Sequence, residues 1–178
     1  MARIPYADVN NSPERLLIDQ IVAQRGSVLH LYQILLHSPA LTEGWLNFLS
    51  AVRQRSTLPG PIRELIIMRV AILNGATYEA SQHAAIALAE GLSQKQLDAL
   101  SNWHEAENEF TFEQQSVLAL TDAMTQEVQV PEAIWMPIRT LYDERKIVEV
   151  VATISAYNMV SRFLEALEIH TDDKREAH

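Results

Sequence analysis

Glu79 and His83 stand four residues apart in a stretch rich in alanine, with Ala80, Ala84, Ala85 and Ala87 around them. On a helix that spacing puts a carboxylate and an imidazole one turn apart on the same face. The face continues through Ile86 and Ala87, and its small neighbours suit the close approach of another helix better than open solvent. Partly withdrawn from water, such a pair can move protons, because burial and mutual charge both shift the two pKa values. The alternative is a surface ion pair worth roughly 0.2–0.5 kcal/mol.

The chain contains no cysteine. That excludes disulfides, thiolate metal sites, Fe–S clusters and any mechanism that oxidises a thiol of this chain. It has 14 Lys+Arg against 23 Asp+Glu, a formal net charge of −9, which argues against a nucleic-acid partner. At 178 residues and 48% hydrophobic, it is expected to form one domain with a sizeable core. The first residues, MARIPYADVNNSPERL, contain no apolar signal-peptide core. The longest apolar stretches, 65–73 and 147–157, fall short of the ~20 residues of a membrane span and are interrupted by Arg69 and Glu149. A cytoplasmic chain with no membrane partner is the expectation.

The elements that position these groups are helical. Apolar residues recur at three- and four-residue spacing over long windows, and no strand-like alternation bounded by hairpin turns occurs. The spacing predicts helices from about Pro13 to Gln24, through Val28–Leu36, from Ser38-Pro39 through Val52, from Ile62 to Asn74, and from Tyr78 to Glu90. Thr57-Leu58-Pro59-Gly60-Pro61 must break the chain between the third and fourth. Ser93 with Gln96, and Thr111 with Gln114, read as capping boxes. Later helices begin near Thr111, Pro131 and Tyr142, the last reaching about Ile169. The fold class is all-α, over residues 1–170, with a charged tail at 171–178 that is expected to fray.

Several further residues are candidates. Arg69 interrupts an apolar run, so its guanidinium either pairs internally, the stronger alternative, or reaches a substrate carboxylate. Asn158 and Arg162 stand one turn apart on the final helix. Arg162 is a second anion-binding candidate with a solvated alternative. His37 sits at a helix C-terminus, where an imidazole gains from the dipole, the stronger alternative, or else touches substrate. Tyr78 and Tyr157 can donate a hydrogen bond into a cavity, although their helical spacing makes core packing the stronger alternative. His104 lies among Glu105, Glu107 and Glu109 but has no second histidine at ligand spacing, so no metal is expected.

The pattern Arg63-Glu64-Leu65, Arg69-Val70-Ala71, Asn74-Gly75-Ala76, Tyr78-Glu79, His83, Gly91-Leu92-Ser93 resembles the carboxymuconolactone decarboxylase family, related to alkyl hydroperoxidase D. Leu35-Leu36-His37-Ser38-Pro39-Ala40-Leu41 with Gly44-Trp45, and Tyr157-Asn158-Met159-Val160 with Arg162-Phe163-Leu164, are similar to it as well. The resemblance implies a helical bundle assembled as a trimer or hexamer. It also implies that the glutamate of the redox branch falls on Glu64, its two cysteines on Ala76 and Glu79, and its histidine on His83. With both sulfur positions empty, what carries over is an acid–base set of His83, Glu79 and Glu64. The implied activity is a cofactor-independent lyase or isomerase acting on a small carboxylated lactone or enolisable acid. In it His83 supplies the hydrogen bond or the proton, Glu79 orients it and holds its tautomer, and Glu64 is a second acid/base or a structural partner. A non-catalytic oligomer that binds a small molecule is the alternative, and a peroxidase-type activity ranks last.

Overall fold

A computed structural model describes residues 2–170, and the tail at 171–178 lies outside the described residues. Among the described residues there are nine α-helices and no strand. They are α1 (Arg15–Arg25), α2 (His30–Leu35), α3 (Pro39–Ser50), α4 (Gly60–Leu73), α5 (Thr77–Ala89), α6 (Gln94–Ala99), α7 (Phe112–Gln126), α8 (Glu132–Leu141) and α9 (Glu144–Ala166). The breaks fall where local chemistry demands them. Ser93 and Thr111 both close capping boxes, each side chain accepting from the amide three residues on while that residue's glutamine bonds back. Gly91, at φ 110°, ends α5 in a conformation that a Cβ would oppose. The third helix runs on past Ser50 as a π turn over Ala51–Arg55, before Pro59 breaks the chain.

The chain divides into two compact units. Among the described residues, the first comprises 2–55 with 164–170. Its α1 and α2 both pack on α3, burying Ile18, Ile21, Ile34, Leu46 and Leu49. The N-terminal segment is tied down by Arg3 N–H to the Leu167 carbonyl at 2.9 Å and by Ala7 N–H to that of Gln33 at 3.2 Å.

The second unit, residues 56–163, is built around α4. Every residue from Glu64 to Ala71 is buried, so this helix meets protein on all sides, as a central helix must. It packs on α5 and α7. Leu65 and Met68 join Ala87, Leu92, Leu100, Trp103, Phe110 and Leu118 in one apolar cluster. Of the described helices, α9 is long and apolar enough to span a bilayer by composition; half of that window is buried, as in a core helix.

Glu149 of α9 holds the segment that leads into α4. Its Oε2 accepts from Thr57 Oγ1 at 2.6 Å, Thr57 N–H at 2.9 Å and Ser56 Oγ at 3.2 Å, while Arg145 reaches Oε1. Desolvation works against the charged carboxyl, but these donors outweigh it and hold its pKa below the ordinary 4.5. Glu149→Ala should therefore lower unfolding free energy by about 1–2 kcal/mol at neutral pH in urea titrations. A depressed carboxyl stabilises above its unfolded pKa, so the deficit should shrink as pH falls through the folded value. A deficit that grows in acid would contradict this account.

Candidate active site

Three elements of the second unit bring the site together. Its carboxylate core is Glu64, which α4 carries into the interior at 1% exposure. Beyond Gly75, at φ 65°, the chain reverses, and the Ala76 amide bonds the Ala71 carbonyl at 2.8 Å, locking α5 beside α4. That turn sets Glu79 in the first turn of α5, where the helix dipole favours a negative charge. One turn on, His83 faces α4. Nineteen residues along the chain from Glu64, its Nδ1–H donates to Glu64 Oε2 at 2.7 Å.

The other ring nitrogen is held more loosely. His83 Nε2 lies 3.2 Å from Glu79 Oε1 and 3.4 Å from the Tyr157 hydroxyl on α9. The Tyr157 ring meets the imidazole edge-on at 5.3 Å between centroids and 89° between planes. Glu64 is held from its far side by Arg63, whose Nε donates to Oε1 at 3.2 Å while Nη2 pairs with Glu90 at 2.9 Å. Glu79 and His83 are 6% and 3% exposed, so the cluster is shielded from bulk solvent. The tighter of the two imidazole–carboxylate contacts is thus with Glu64. Glu79, expected to orient the ring, faces the nitrogen at the opposite end.

The charges follow from this geometry. An imidazole with a carboxylate at each nitrogen is best satisfied as imidazolium, donating at both ends. Burial pulls the His83 pKa down, yet the hydrogen bonds and charges of Glu64 and Glu79 together raise it above the ordinary 6.5. Burial likewise pushes the Glu64 carboxyl up, while the hydrogen bond and charge of His83, with Arg63 behind, bring it below 4.5. A raised histidine stabilises fully below its unfolded pKa and loses that as pH rises through the folded value; a lowered carboxyl does the converse. The pair's contribution is therefore full between 4.5 and 6.5 and declines on either side. In an NMR titration, Glu64→Gln should make the His83 ring lose its proton at lower pH than in the wild type. An unchanged midpoint would count against an imidazolium held by Glu64.

The remaining candidates have other neighbours. Arg69 takes the internal course. Its Nε and Nη2 donate to Asp122 Oδ1 and Oδ2 at 2.6 and 2.9 Å, and Nη1 donates to the carbonyls of Leu100 and Ser101 at 2.6 and 3.1 Å. Asn158 is buried and tied into the fold: its Nδ2 donates to Thr125 Oγ1 at 2.9 Å and the Ile154 carbonyl at 3.1 Å, and its Oδ1 accepts from Asn74 at 3.1 Å. Arg162 is exposed on α9, and Tyr78 is buried in the first turn of α5. His37 belongs to the first unit, where its Nε2–H donates to the Pro5 carbonyl at 2.7 Å. His104 is exposed and lies against the Trp103 ring at 3.7 Å. Two partners are not legible in the sequence: Arg63 behind Glu64, signalled only by adjacency, and Tyr157, for which core packing is the stronger reading of the spacing. No group of three or more potential metal ligands occurs among the described residues.

Comparison with known proteins agrees with this architecture. Residues 39–122 match the carboxymuconolactone decarboxylase family. The chain is 27% identical over 116 residues to the uncharacterized protein YdfG of Bacillus subtilis, covering 64% of this chain and 78% of that one. An alkylhydroperoxidase AhpD core protein of Ralstonia eutropha JMP134, described as peroxidase-related, superposes with a TM-score of 0.81 at 18% identity, covering 97% of this chain and 93% of that one. The debrominase Bmp8, in complex with 2,3,4-tribromopyrrole, superposes with a TM-score of 0.79 at 14% identity, covering 94% and 90%. These likenesses establish an AhpD-like helical fold.

Proposed function

We propose that this chain, a cysteine-free relative of the carboxymuconolactone decarboxylase family on an AhpD-like fold, is a cofactor-independent lyase or isomerase that moves protons to carbon in a small carboxylated lactone or enolisable acid. The observation that carries this reading is the buried Glu64–His83 contact at 2.7 Å, which leaves Nε2 and its proton on the side of Glu79 and Tyr157.

In the decarboxylation, the bond from carbon to the carboxylate breaks and CO2 leaves. Its electron pair passes into the neighbouring carbonyl as an enolate. The His83 imidazolium then gives its Nε2 proton to the carbon, and solvent restores that proton. Glu64 keeps the ring oriented and supports its positive charge, as a buried carboxylate does for a catalytic histidine elsewhere. Glu79, at the more exposed end, is placed to accept a proton in the isomerase variant. A thiol peroxidase cycle needs sulfur that the chain does not contain.

The test is incubation with a panel of carboxylated lactones and unsaturated acids in deuterated buffer, read by mass spectrometry. Loss of CO2 or deuterium at carbon, sensitive to His83, supports the proposal. Neither signal across the panel, with ligand binding indifferent to His83, favours a non-catalytic binding protein.

A further inference from the structure

We infer that Tyr157 is a second functional group of this site, the hydrogen-bond donor for the enol or enolate oxygen of a planar unsaturated ligand. This deepens the acid–base reading and rests on it. The inference starts from an asymmetry around the imidazole. At Nδ1 the contact with Glu64 is short, at 2.7 Å, and closed off by Arg63. At Nε2 both contacts are long, 3.2 Å to Glu79 and 3.4 Å to the Tyr157 hydroxyl. Both distances lie at or beyond the long end of the hydrogen-bond range, so Nε2 is held less tightly than Nδ1, and an incoming oxygen that accepts from Nε2–H can take the place of these contacts. The Nε2 corner is therefore the exchangeable end of the cluster.

Chemistry at that corner needs two different donors. A proton delivered to carbon comes from an acid that can be recharged, which the imidazolium is. The oxygen that collects the charge needs a donor that stays in place while charge develops, in a site from which water is excluded. The phenol of Tyr157 is suited to that task. Its ring is locked against the imidazole, it is 1% exposed, and it is carried by α9 rather than by the two helices that hold the carboxylates. An enolate oxygen beside Tyr157 leaves the adjacent carbon beside Nε2–H, so oxygen and carbon are served by separate groups. Glu79, the most exposed of the three ionisable groups, is the side chain that must give way to admit the ligand. The charged and titratable groups in hydrogen-bond or ion-pair contact with the His83 ring or with Glu64 include Arg63 from α4, Glu79 from α5 and Tyr157 from α9.

The probe is 4-nitrophenol, a planar phenol whose ionised form is coloured. Bound to the wild-type protein, it should move the His83 imidazole and Tyr157 ring resonances together. Tyr157→Phe should weaken binding at least tenfold, and His83→Gln should weaken it as well. Binding that is equal in Tyr157→Phe but reduced in His83→Gln overturns the role of Tyr157 and leaves the acid–base reading standing. Binding indifferent to both substitutions overturns both. Binding to the wild type that leaves the Tyr157 ring unmoved, or no binding at millimolar probe, overturns the inference without recourse to a variant.

Discussion

His83→Gln should lower deuterium incorporation at substrate carbon by about 10²–10⁴-fold while leaving helicity unchanged, the range that a positioned general acid contributes. Glutamine keeps a polar, hydrogen-bonding side chain of similar reach, so Glu64 is not abandoned without a donor. It has no titratable proton. The loss should fall on kcat more than on KM, because the transferred proton matters chiefly in the transition state. Glu64→Gln should show a smaller loss, with the alkaline limb of its pH profile moved to lower pH, since the ring remains but its charge is less well supported. If His83→Gln turned over at the wild-type rate on a substrate the wild type processes, proton delivery by the imidazole would be wrong.

Removing Asp122 should be strongly destabilising. This carboxylate receives two hydrogen bonds from the Arg69 guanidinium and one from Trp103 Nε1 at 3.0 Å. It thereby clamps α4 and α7 to the 3-10 turn at Leu100–Glu105 that separates α6 from α7. Arg69 has a side-chain exposure of 7%, so Asp122→Ala leaves a charged group buried with only two carbonyls to satisfy it. Breaking a buried pair on one side costs about 3–5 kcal/mol. For a chain of this size that corresponds to a thermal midpoint lower by roughly 6–20 °C, at about 2–4 °C per kcal/mol. Arg69→Met combined with Asp122→Leu should recover much of the loss, because no charge is then stranded. A single variant within about 1 kcal/mol of wild type in urea unfolding would show that the clamp is slack.

The two predictions probe residues that read very differently in sequence. Glu79 and His83 were legible as a pair because a helix converts a four-residue spacing into adjacency, whatever the rest of the chain does. Arg69 was legible as an anomaly, a charge inside the apolar run of α4, and an internal partner was the stronger expectation. That partner could not be named, since Asp122 lies 53 residues away. Asn158 shows the opposite case. It stands among the candidates for substrate, but the structure encloses it with Asn74 and Thr125, a network assembled from α7, α9 and the residue that caps α4. Tyr157 was ambiguous for the same reason, its distance of 74 residues from His83.

The amino-acid sequence by itself determined the helices, both capping boxes, the proline and glycine breaks and the absence of sulfur chemistry. All of these follow from interactions within a few residues or from composition alone. Tertiary structure alone decided that Glu64, and not Glu79, grips the imidazole at 2.7 Å, and that Arg69 is spent on Asp122. It also decided that Tyr157 completes the far corner of the ring. The physical reason is that contacts between helices are selected by how side chains interlock when loops close, and spacing along the chain does not encode that choice.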